Sequence, residues 1–372
     1  MRVGVPKEIK DREDRVGLIP SSVSELVGHG HEVLVQQGAG LGSGVADADY
    51  VRAGARIVPD ADAIWADADM VVKVKEPLAA ERAKLRRGQL LFTYLHLAPD
   101  PEQTRDLMKS GATCIAYETV TDPMGGLPLL MPMSEVAGRM AVQVGAHCLE
   151  NATGGRGILL GGVPGVPAAD VVILGGGVSG SNAAMMAIGM GASVTVVDRS
   201  ATVLRGLVSR FGARLRTVFS TRDAVAELVA RADLVIGTVL IPGAAAPKLV
   251  TRAMLGTMKK GAAIVDVAID QGGCTETSHA TTHTAPTYIV DGIVHYCVAN
   301  MPGGVARTST FALNNMTLPF VLALANKGWR KALADDAHLR HGLNVHDGQV
   351  TYKAVAEALG HAWQDPMQAL AA

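Results

Sequence analysis

The stretch of sequence that decides the fold runs from residue 170 to residue 198 and reads DVVILGGGVSGSNAAMMAIGMGASVTVVD. An apolar run at 171–174 leads directly into the glycine-rich segment GGGVSG at 175–180. A helical pattern follows over 178–189, and a second apolar run ends in Asp198. This order predicts a strand, a tight loop, a helix and a parallel strand, which is the first half of a doubly wound α/β domain.

The glycine-rich segment fits the pattern GxGxxG, with Gly175, Gly177 and Gly180 in its three places. One glycine permits a sharp turn, one lets the backbone approach a pyrophosphate, and the third lets helix and strand pack closely. The helix that begins at Val178 offers unpaired N–H groups to the phosphates. A lone match would be weak, but Asp198 stands close to the expected ~20 residues downstream and can accept hydrogen bonds from ribose hydroxyls. Because its charge would repel a 2′-phosphate, the combination predicts NAD as the cofactor.

Length and composition limit the other possibilities. The chain has 372 residues, which exceeds one typical core and predicts two domains. Lys and Arg number 34 against 35 Asp and Glu, so the net charge is -1. Without a basic excess or a charged tail, binding to nucleic acid or to a membrane surface is not expected.

The cysteines and the uncharged stretches favour a cytoplasmic protein. Four cysteines lie far apart and form no CxxC pair, which predicts buried thiols in a reducing compartment. The N-terminus becomes charged too early for a signal peptide. Residues 171–197 and 308–326 carry no charge, but Gly and Asn interrupt the first and Asn and Pro the second, so neither is expected to span a membrane.

Apolar runs alternate with helical patterns along the whole chain, which predicts parallel βαβ units. The fold class expected is therefore α/β, with two doubly wound, Rossmann-type domains and a cleft between them. Residues 1–128 together with 307–372 are predicted to form a discontinuous substrate domain, and residues 129–306 the NAD-binding domain. Residues 133–150 are predicted to be one long helix, and 154–167 a structured loop.

Polar residues at strand ends are the candidates for chemistry. Arg15, Lys75 and His96 follow three predicted strands of the first domain, and Asp270 follows a strand of the second. Ligands bind beyond the carboxyl ends of strands in open parallel sheets, so the first three would converge on one crevice suited to a small carboxylate. Each residue taken singly is also compatible with an ordinary surface charge. Asp266, within a strand, is predicted to be structural.

The sequence contains little that indicates a metal site or a catalytic nucleophile. His279 and His283 lie four residues apart near Cys274, but no second ligand pair accompanies them, so a structural zinc site is not expected. No GxSxG segment is present.

Several longer blocks resemble alanine dehydrogenases. They are MRVGVPKEIKDREDRVGLIP at the N-terminus, KVKEP, LLFTYLHLA, MSEVAGRMAVQVGAHCLE, GGRGILLGGVPGV, DVAIDQGGC and YCVANMPGGVARTST, in this order along nearly the whole chain. The resemblance implies reversible, NAD-dependent oxidative deamination of L-alanine to pyruvate and ammonium. It also implies two domains with a cleft and a homo-oligomer, most simply a hexamer.

The resemblance assigns roles to matching positions. Arg15 and Lys75 would bind the substrate, and His96 and Asp270 would be catalytic. The residues that would bind the cofactor are Ser134, Gly175, Gly177, Val178, Gly180, Asp198, Ser220, Val239, Leu240, Ile269, Asp270, Val298, Asn300 and Met301.

Two departures from the family pattern stand out. Val203 occupies the place of a basic residue that often follows the ribose-binding Asp. Lys327 stands where a His partner of Glu118 would complete a metal site, so we predict that the protein binds no metal. Two other functions stay open: the NAD-binding component of a proton-translocating transhydrogenase, and a non-catalytic NAD sensor. We assign His96 as the general acid/base because imidazole titrates near ~6.5 unperturbed. Asp270 is assigned as its helper, and the reverse assignment stays open.

Overall fold

The computed structural model describes residues 1–239 and 246–371, which fall into two compact units. The first unit comprises Met1–Met133 and Val305–Ala372, and the second comprises Ser134–Gly304. The strands are β1 (Arg2–Val5), β2 (Glu32–Gln36), β3 (Arg56–Val58), β4 (Met70–Val72), β5 (Leu90–Thr93), β6 (Thr113–Ala116), β7 (Asp170–Leu174), β8 (Ser193–Asp198), β9 (Arg216–Phe219), β10 (Leu234–Gly237), β11 (Ala263–Asp266), β12 (Thr287–Val290), β13 (Ile293–Tyr296), β14 (Leu343–His346) and β15 (Gln349–Val350).

Helices flank these strands throughout the described residues. The α-helices are α1 (Pro20–Gly28), α2 (Asp47–Arg52), α3 (Ala61–Asp67), α4 (Ala79–Arg82), α5 (Pro101–Ser110), α6 (Met131–Cys148), α7 (Val178–Gly189), α8 (Ala201–Phe211), α9 (Arg222–Arg231), α10 (Arg252–Leu255), α11 (Ala306–Lys327), α12 (Trp329–Asp335), α13 (Ala337–Arg340), α14 (Lys353–Leu359) and α15 (Pro366–Ala371). Short 3₁₀ turns lie at Leu41–Ser43, Tyr117–Thr119, Asn151–Thr153, Gly212–Arg214, Val267–Gln271 and Met301–Val305.

The sheet of the first unit has the strand order β15-β14-β6-β5-β4-β1-β2-β3. Strands β1 to β6 are parallel to their neighbours, and their mutual order 3-2-1-4-5-6 is that of a Rossmann fold. The short apolar sequences of β4, β5 and β6 are buried along their whole length, as expected for strands covered on both faces.

The C-terminal part of the chain adds a hairpin to this sheet. Strand β14 pairs antiparallel with β6, and β15 pairs antiparallel with β14. The connecting Asp347 and Gly348 have φ of 45° and 85°. Left-handed Asp-Gly pairs are typical of tight two-residue hairpin turns, so this dipeptide was the signal for two strands that the sequence analysis did not predict.

The second unit repeats the design with the strand order β12-β13-β11-β10-β7-β8-β9. All neighbours are parallel except β12, which forms an antiparallel hairpin with β13. Strand β9 was not predicted, because it is an edge strand whose sequence RTVF is only half-buried. The predicted fold class of two Rossmann-type α/β domains is therefore confirmed.

Small aliphatic side chains build the core of the second unit. Helix α7 buries Ala183, Ala184 and Ala187 completely, and β7 and β10 bury all but one of their residues. Short side chains let the helix lie close to the sheet, which explains how a chain with 4% aromatic residues fills its interior.

The uncharged segment 308–326 lies within α11 of the first unit. Its Asn314 is fully buried, and the Oδ1 atom accepts hydrogen bonds from the Ile19 N–H at 2.9 Å and the Ser22 hydroxyl at 3.2 Å. Among the described residues, no helix is long and apolar enough to cross a membrane. The four cysteines are all buried thiols, as predicted, and burial raises the pKa of Cys114 to about 12.

Candidate active site

Three cationic or titratable side chains of the first unit follow strands that are neighbours in its sheet. Lys75 and His96 each lie three residues beyond the ends of β4 and β5, and Arg15 lies in the loop after β1. Strand β4 pairs with both β1 and β5. The structure therefore places these three residues at the same edge of one sheet, where doubly wound folds bind ligands.

Arg15 is held by an acidic neighbour. Its side chain is 2% exposed, and its Nε and Nη2 atoms donate to the two carboxylate oxygens of Glu13, both at 2.6 Å. Nη1 contacts the Met133 sulfur at 3.0 Å. Burial opposes the charge, but the ion pair outweighs it and holds the pKa of Arg15 above its ordinary value. The guanidinium is thus charged and fixed in plane before any ligand arrives.

Lys75 differs sharply from its neighbour Lys73. Lys73 is buried, and its Nζ lies between Glu8 at 2.9 Å and Glu81 at 2.8 Å, which makes it part of the internal scaffold. Lys75 is only partly buried. Its carbonyl accepts a hydrogen bond from the Thr93 hydroxyl at 2.9 Å, so the backbone that carries it is tied to β5.

His96 projects from the sheet edge in an unusual backbone conformation. Its φ is 50°, a left-handed value, and its side chain is 45% exposed. The imidazole stacks on the Tyr94 ring with a centroid distance of 5.8 Å and an interplanar angle of 7°. Tyr94 is buried, and its hydroxyl donates to the Leu129 carbonyl at 2.5 Å. The imidazole therefore rests on an anchored aromatic surface while one face stays accessible.

Glu118 supports this arrangement from the turn that follows the neighbouring strand β6. Its carboxylate accepts the His96 N–H at 2.6 Å and the Leu95 N–H at 3.2 Å, and Oε1 lies 3.9 Å from His96 Nδ1. Lys327 donates to Asp335 at 2.8 Å, and an ammonium group does not ligate metal. The residues at these positions therefore do not fit a metal site, and the described residues hold no group of three or more His, Cys, Asp or Glu suited to a metal. The absence of a metal stays a prediction.

The glycine loop of the second unit has the geometry of a phosphate cradle. Gly175 has φ of 102°, which L side chains rarely adopt, and it turns the chain from β7 toward α7. A Cβ on Gly180 would lie 1.9 Å from the Gly175 carbonyl oxygen, so only glycine lets the helix pack against the loop. A Cβ on Gly177 would meet nothing within 4 Å, and no side chain caps the helix start. The loop thus presents backbone to an open space, as a pyrophosphate requires.

The structure also requires glycine at position 176, which the pattern GxGxxG leaves unspecified. A Cβ there would lie 2.7 Å from Val203 and 2.8 Å from Leu207, because α8 packs directly over the loop. Val203 occupies this position as a packing residue, and its N–H is capped by the Ser200 hydroxyl at 3.3 Å. The apolar residue at 203, which departs from the family pattern, therefore has a structural role in this chain.

Asp198 ends β8 beside the glycine loop. Its Oδ2 accepts the Gly176 N–H at 2.7 Å, and its Oδ1 accepts the Ser200 N–H at 2.7 Å. Ser220 donates its N–H to the Asp198 carbonyl at 3.0 Å, so the ends of β8 and β9 are adjacent. Each carboxylate oxygen keeps further acceptor capacity for ribose hydroxyls.

Asp270 lies in the 3₁₀ turn Val267–Gln271, directly beyond β11. Its side chain is exposed, and Oδ1 accepts the N–H of Asn300 at 3.2 Å. Asn300 is itself left-handed, with φ of 59°. Below the turn, the fully buried Asp266 accepts the N–H of Cys274 at 2.9 Å and the hydroxyl of Ser278 at 2.6 Å. Asp266 thus ties the following loop to β11, which agrees with its predicted structural role.

The other predicted cofactor residues differ in their surroundings. Ser134 accepts a hydrogen bond from the Ser179 hydroxyl at 2.9 Å through its carbonyl, which places it beside the first turn of α7, and Val239 lies just beyond β10. Leu240 lies outside the described residues. Ile269, Val298 and Met301 are almost fully buried, which favours contact through their backbone atoms.

Lys248 is one of the residues that the sequence analysis missed, together with Glu13 and Gly176. Its Nζ donates to the carbonyls of Gly273 at 2.8 Å and Thr275 at 3.2 Å, and also to that of Gly272. It thereby braces the loop that follows Asp270. No local pattern distinguished Lys248 or Glu13 from other charged residues, because their partners are set by the tertiary fold.

The chain has two doubly wound units. One carries a dinucleotide-type glycine loop, and the other carries charged groups at its strand ends. These features define the class of nucleotide-dependent oxidoreductases with Rossmann folds. The pattern of the family Alanine dehydrogenase/PNT, N-terminal domain, matches residues 4–137, and that of Alanine dehydrogenase/PNT, C-terminal domain, matches residues 141–353. The chain belongs to the alanine dehydrogenase/PNT family, and the resemblance noted in the sequence is confirmed.

Individual relatives agree with this membership. Alanine dehydrogenase of Halomonas elongata is 64% identical over 97% of this chain and 97% of its own length. A solved L-alanine dehydrogenase superimposes with a TM-score of 0.94 at 54% identity, covering 97% of this chain and 99% of that one. A transhydrogenase from Sinorhizobium meliloti is more distant, with a TM-score of 0.82 at 28% identity over 95% of this chain and 100% of its own.

Proposed function

We propose that this protein is an L-alanine dehydrogenase, which catalyses the reversible, NAD-dependent oxidative deamination of L-alanine to pyruvate and ammonium. The observation that carries the proposal is the placement of Arg15, Lys75 and His96 at one sheet edge, in a chain 64% identical to an alanine dehydrogenase. The test is the production of NADH from L-alanine by the purified protein. No NADH formation with L-alanine and NAD would reject the proposal.

The second unit would hold NAD through its glycine loop and the ends of β8 and β9. The open backbone at Gly177 fits the pyrophosphate, and Asp198 would accept hydrogen bonds from the adenosine ribose. Bound NAD would supply the acceptor for the hydride that leaves Cα of alanine. The remaining chemistry falls to side chains of this protein.

Arg15 and Lys75 would bind the substrate. A guanidinium held in plane by Glu13 can meet a carboxylate with two parallel hydrogen bonds, whereas an ammonium is a point charge. Lys75 would attract either the carboxylate or the carbonyl oxygen of pyruvate. Met133 touches Arg15 and would form part of the wall that selects a small side chain.

His96 would move the protons. Oxidation requires a neutral amine, whose lone pair helps to expel hydride from Cα and forms a C=N⁺ iminium. Water then attacks that carbon while His96 accepts its proton. His96 returns this proton to the nitrogen of the carbinolamine, and the C–N bond breaks as the hydroxyl gives its own proton to His96 and forms the carbonyl, which releases ammonia and pyruvate. The Asp270 carboxylate would stabilise the positive iminium and orient the water.

Substrate anchoring leads to a prediction about KM. Arg15→Lys is expected to raise the KM for pyruvate roughly 10- to 100-fold, because the substitution removes one charge-assisted hydrogen bond to the substrate. The Kd for NADH, measured by fluorescence titration, should hardly change. Arg12→Lys is the matched control, because Arg12 is exposed in the same loop and should leave both constants unchanged. An equal loss of NADH binding in Arg15→Lys would argue against the substrate role.

Cofactor choice leads to a second prediction. Asp198→Asn removes the charge that would face a 2′-phosphate, and two charges 4 Å apart repel by about 1 kcal/mol even in water. The ratio of kcat/KM for NADP to that for NAD should therefore rise at least about fivefold. Affinity for NAD should fall as well, since Asp198 also accepts the Gly176 and Ser200 N–H groups. Comparable use of NADP and NAD by the wild-type enzyme would contradict this role.

The alternative function is the NAD-binding component of a proton-translocating transhydrogenase. The likeness to the Sinorhizobium meliloti transhydrogenase favours this candidate, although at lower identity. A transhydrogenase passes hydride between two nucleotides and needs no amino acid. Nucleotide-to-nucleotide hydride exchange without alanine-dependent NADH formation would select the alternative.

Assembly and location are part of the same proposal. We infer a homohexamer in the cytoplasm, with the first unit as the substrate-binding domain and the second as the NAD-binding domain. The buried thiols are consistent with a reducing compartment. Sedimentation analysis of the purified protein measures the oligomer directly.

A further inference from the structure

We propose that Glu118 is a positioning residue, which sets the backbone conformation of His96 and thereby the place of its imidazole. The inference rests on the proposed function, in which His96 moves protons during alanine oxidation. The family resemblance places Glu118 in a possible metal site. In this structure its carboxylate instead accepts hydrogen bonds from the backbone N–H groups of Leu95 and His96. Three features of the first unit carry the inference.

The first feature is the conformation of residue 96. Its φ of 50° is left-handed, a region that side chains other than glycine rarely adopt without support. Such conformations persist at functional sites only when the surroundings hold them in place. The conformation turns the imidazole back over Tyr94, with parallel rings 5.8 Å apart. A return to ordinary negative φ would move the imidazole away from this ring.

The second feature is the bonding of Glu118. The carboxylate takes the His96 N–H at 2.6 Å and the Leu95 N–H at 3.2 Å, so two consecutive N–H groups point at one side chain. Strand β5 has ended at Thr93, and these N–H groups lie beyond its ladder. Hydrogen bonds to a carboxylate are among the stronger ones in proteins. Glu118 therefore favours the backbone conformation in which both N–H groups converge.

The third feature is the rigidity of the platform that carries Glu118. The residue lies in the 3₁₀ turn Tyr117–Thr119 directly after β6, the neighbour of β5. Tyr117 is fully buried, and its hydroxyl donates to the Lys73 carbonyl at 3.0 Å. Its ring also packs edge-on against Tyr94 at 5.1 Å. The carboxylate and the imidazole are thus fixed to the same aromatic cluster.

These features predict that Glu118 acts on the reaction only through His96. Glu118→Ala should lower kcat about 100-fold, because a displacement of 1 Å in a reacting group can cost this much. The Kd for NADH should stay unchanged. In a double-mutant cycle, Glu118→Ala in a His96→Ala background should cost no further kcat, since the group it positions is gone. Losses that multiply in the double variant would overturn the proposal.

Two further variants separate positioning from stability. Asp122 also accepts two backbone N–H groups, those of Met124 and Gly126, both at 2.8 Å, so Asp122→Ala is a matched control. It should lower the Tm as much as Glu118→Ala and leave kcat intact. Glu118→Gln keeps an oxygen that accepts the His96 N–H and should recover most of the kcat. Equal losses in the Gln and Ala variants would contradict the geometric role.

A structural measurement does not depend on turnover. In a crystal structure of Glu118→Ala, residue 96 should have a negative φ and the imidazole should have left the Tyr94 ring. An unchanged left-handed His96 would overturn the inference. Failure of the proposed function is recognised separately, because the wild-type protein would then form no NADH from L-alanine.

Discussion

Replacing His96 by alanine is expected to lower kcat about 10²- to 10⁴-fold, the usual cost of losing a general acid/base. The imidazole is 45% exposed at the sheet edge, so its loss creates no cavity in the core. The Tm and the Kd for NADH should therefore change little. Steady-state rates in both directions, with L-alanine and with pyruvate plus ammonium, should fall by the same factor, because one group returns the proton that it accepted.

The pH profile makes this prediction specific. The low-pH limb of kcat should disappear in His96→Ala, since the group whose protonation blocks the reaction is absent. His29→Ala is the matched control, as His29 is an exposed histidine of the same unit and touches Asn326 rather than the strand ends. Its kcat and its profile should match those of the wild type. A wild-type rate in His96→Ala would remove His96 from the chemistry.

The fold was largely predictable because its strongest signals are local. Segment 170–198 contains a complete strand, loop, helix and strand, and the structure displays a backbone requirement for glycine at Gly175, which has positive φ, and at Gly180, where a Cβ would clash with the Gly175 carbonyl. Strands β9, β14 and β15 were missed for a physical reason. Strand β9 is an edge strand with a mixed polar sequence and β15 has only two residues, so no periodic pattern develops, and β14 lies in a part of the chain dominated by helical patterns.

The candidate site was predictable only in part. The rule that ligands bind at the carboxyl ends of strands selected Arg15, Lys75 and His96, and the sheet order places their strands side by side. The rule could not separate Lys75 from Lys73, because residues two apart would share one face if the strand continued to Lys75, whereas β4 ends at Val72. The difference comes from Glu8 and Glu81, which enclose Lys73 from other segments.

The supporting residues were beyond the reach of sequence patterns. Glu13 accepts hydrogen bonds from Arg15, and Glu118 accepts the backbone N–H of His96, but neither belongs to a motif with fixed spacing. A left-handed histidine also has no sequence signature, because most histidines have negative φ even though the residue type is enriched in the left-handed region. Such features arise from packing between strands, and only coordinates reveal them.

Asp270→Asn is expected to produce the other large loss, of about 10²- to 10³-fold in kcat, the usual cost of removing one electrostatic stabiliser. The substitution keeps the shape of the side chain and an oxygen that can accept the Asn300 N–H, so the turn Val267–Gln271 should hold. What disappears is the negative charge. An iminium at Cα is positive, and a neutral amide stabilises it far less than a carboxylate does. The Kd for NADH should stay close to that of the wild type.

The matched control for this variant is Asp291→Asn. Asp291 is an exposed aspartate of the same unit that pairs with Arg252 at 3.1 Å, and its replacement should leave kcat unchanged. A crystal structure of Asp270→Asn should show the turn and Asn300 unmoved, which assigns the lost rate to charge rather than to misfolding.

The pH profiles of the two variants then decide the division of labour between His96 and Asp270. If His96 is the general acid/base and Asp270 its helper, the residual activity of Asp270→Asn keeps the low-pH limb, because His96 still accepts and returns the proton. His96→Ala loses that limb. If the limb instead survives in His96→Ala and vanishes in Asp270→Asn, Asp270 is the base and His96 the helper. In that case Glu118, which supports His96, would affect substrate binding more than proton transfer, and Glu118→Ala would raise the KM for pyruvate rather than lower kcat.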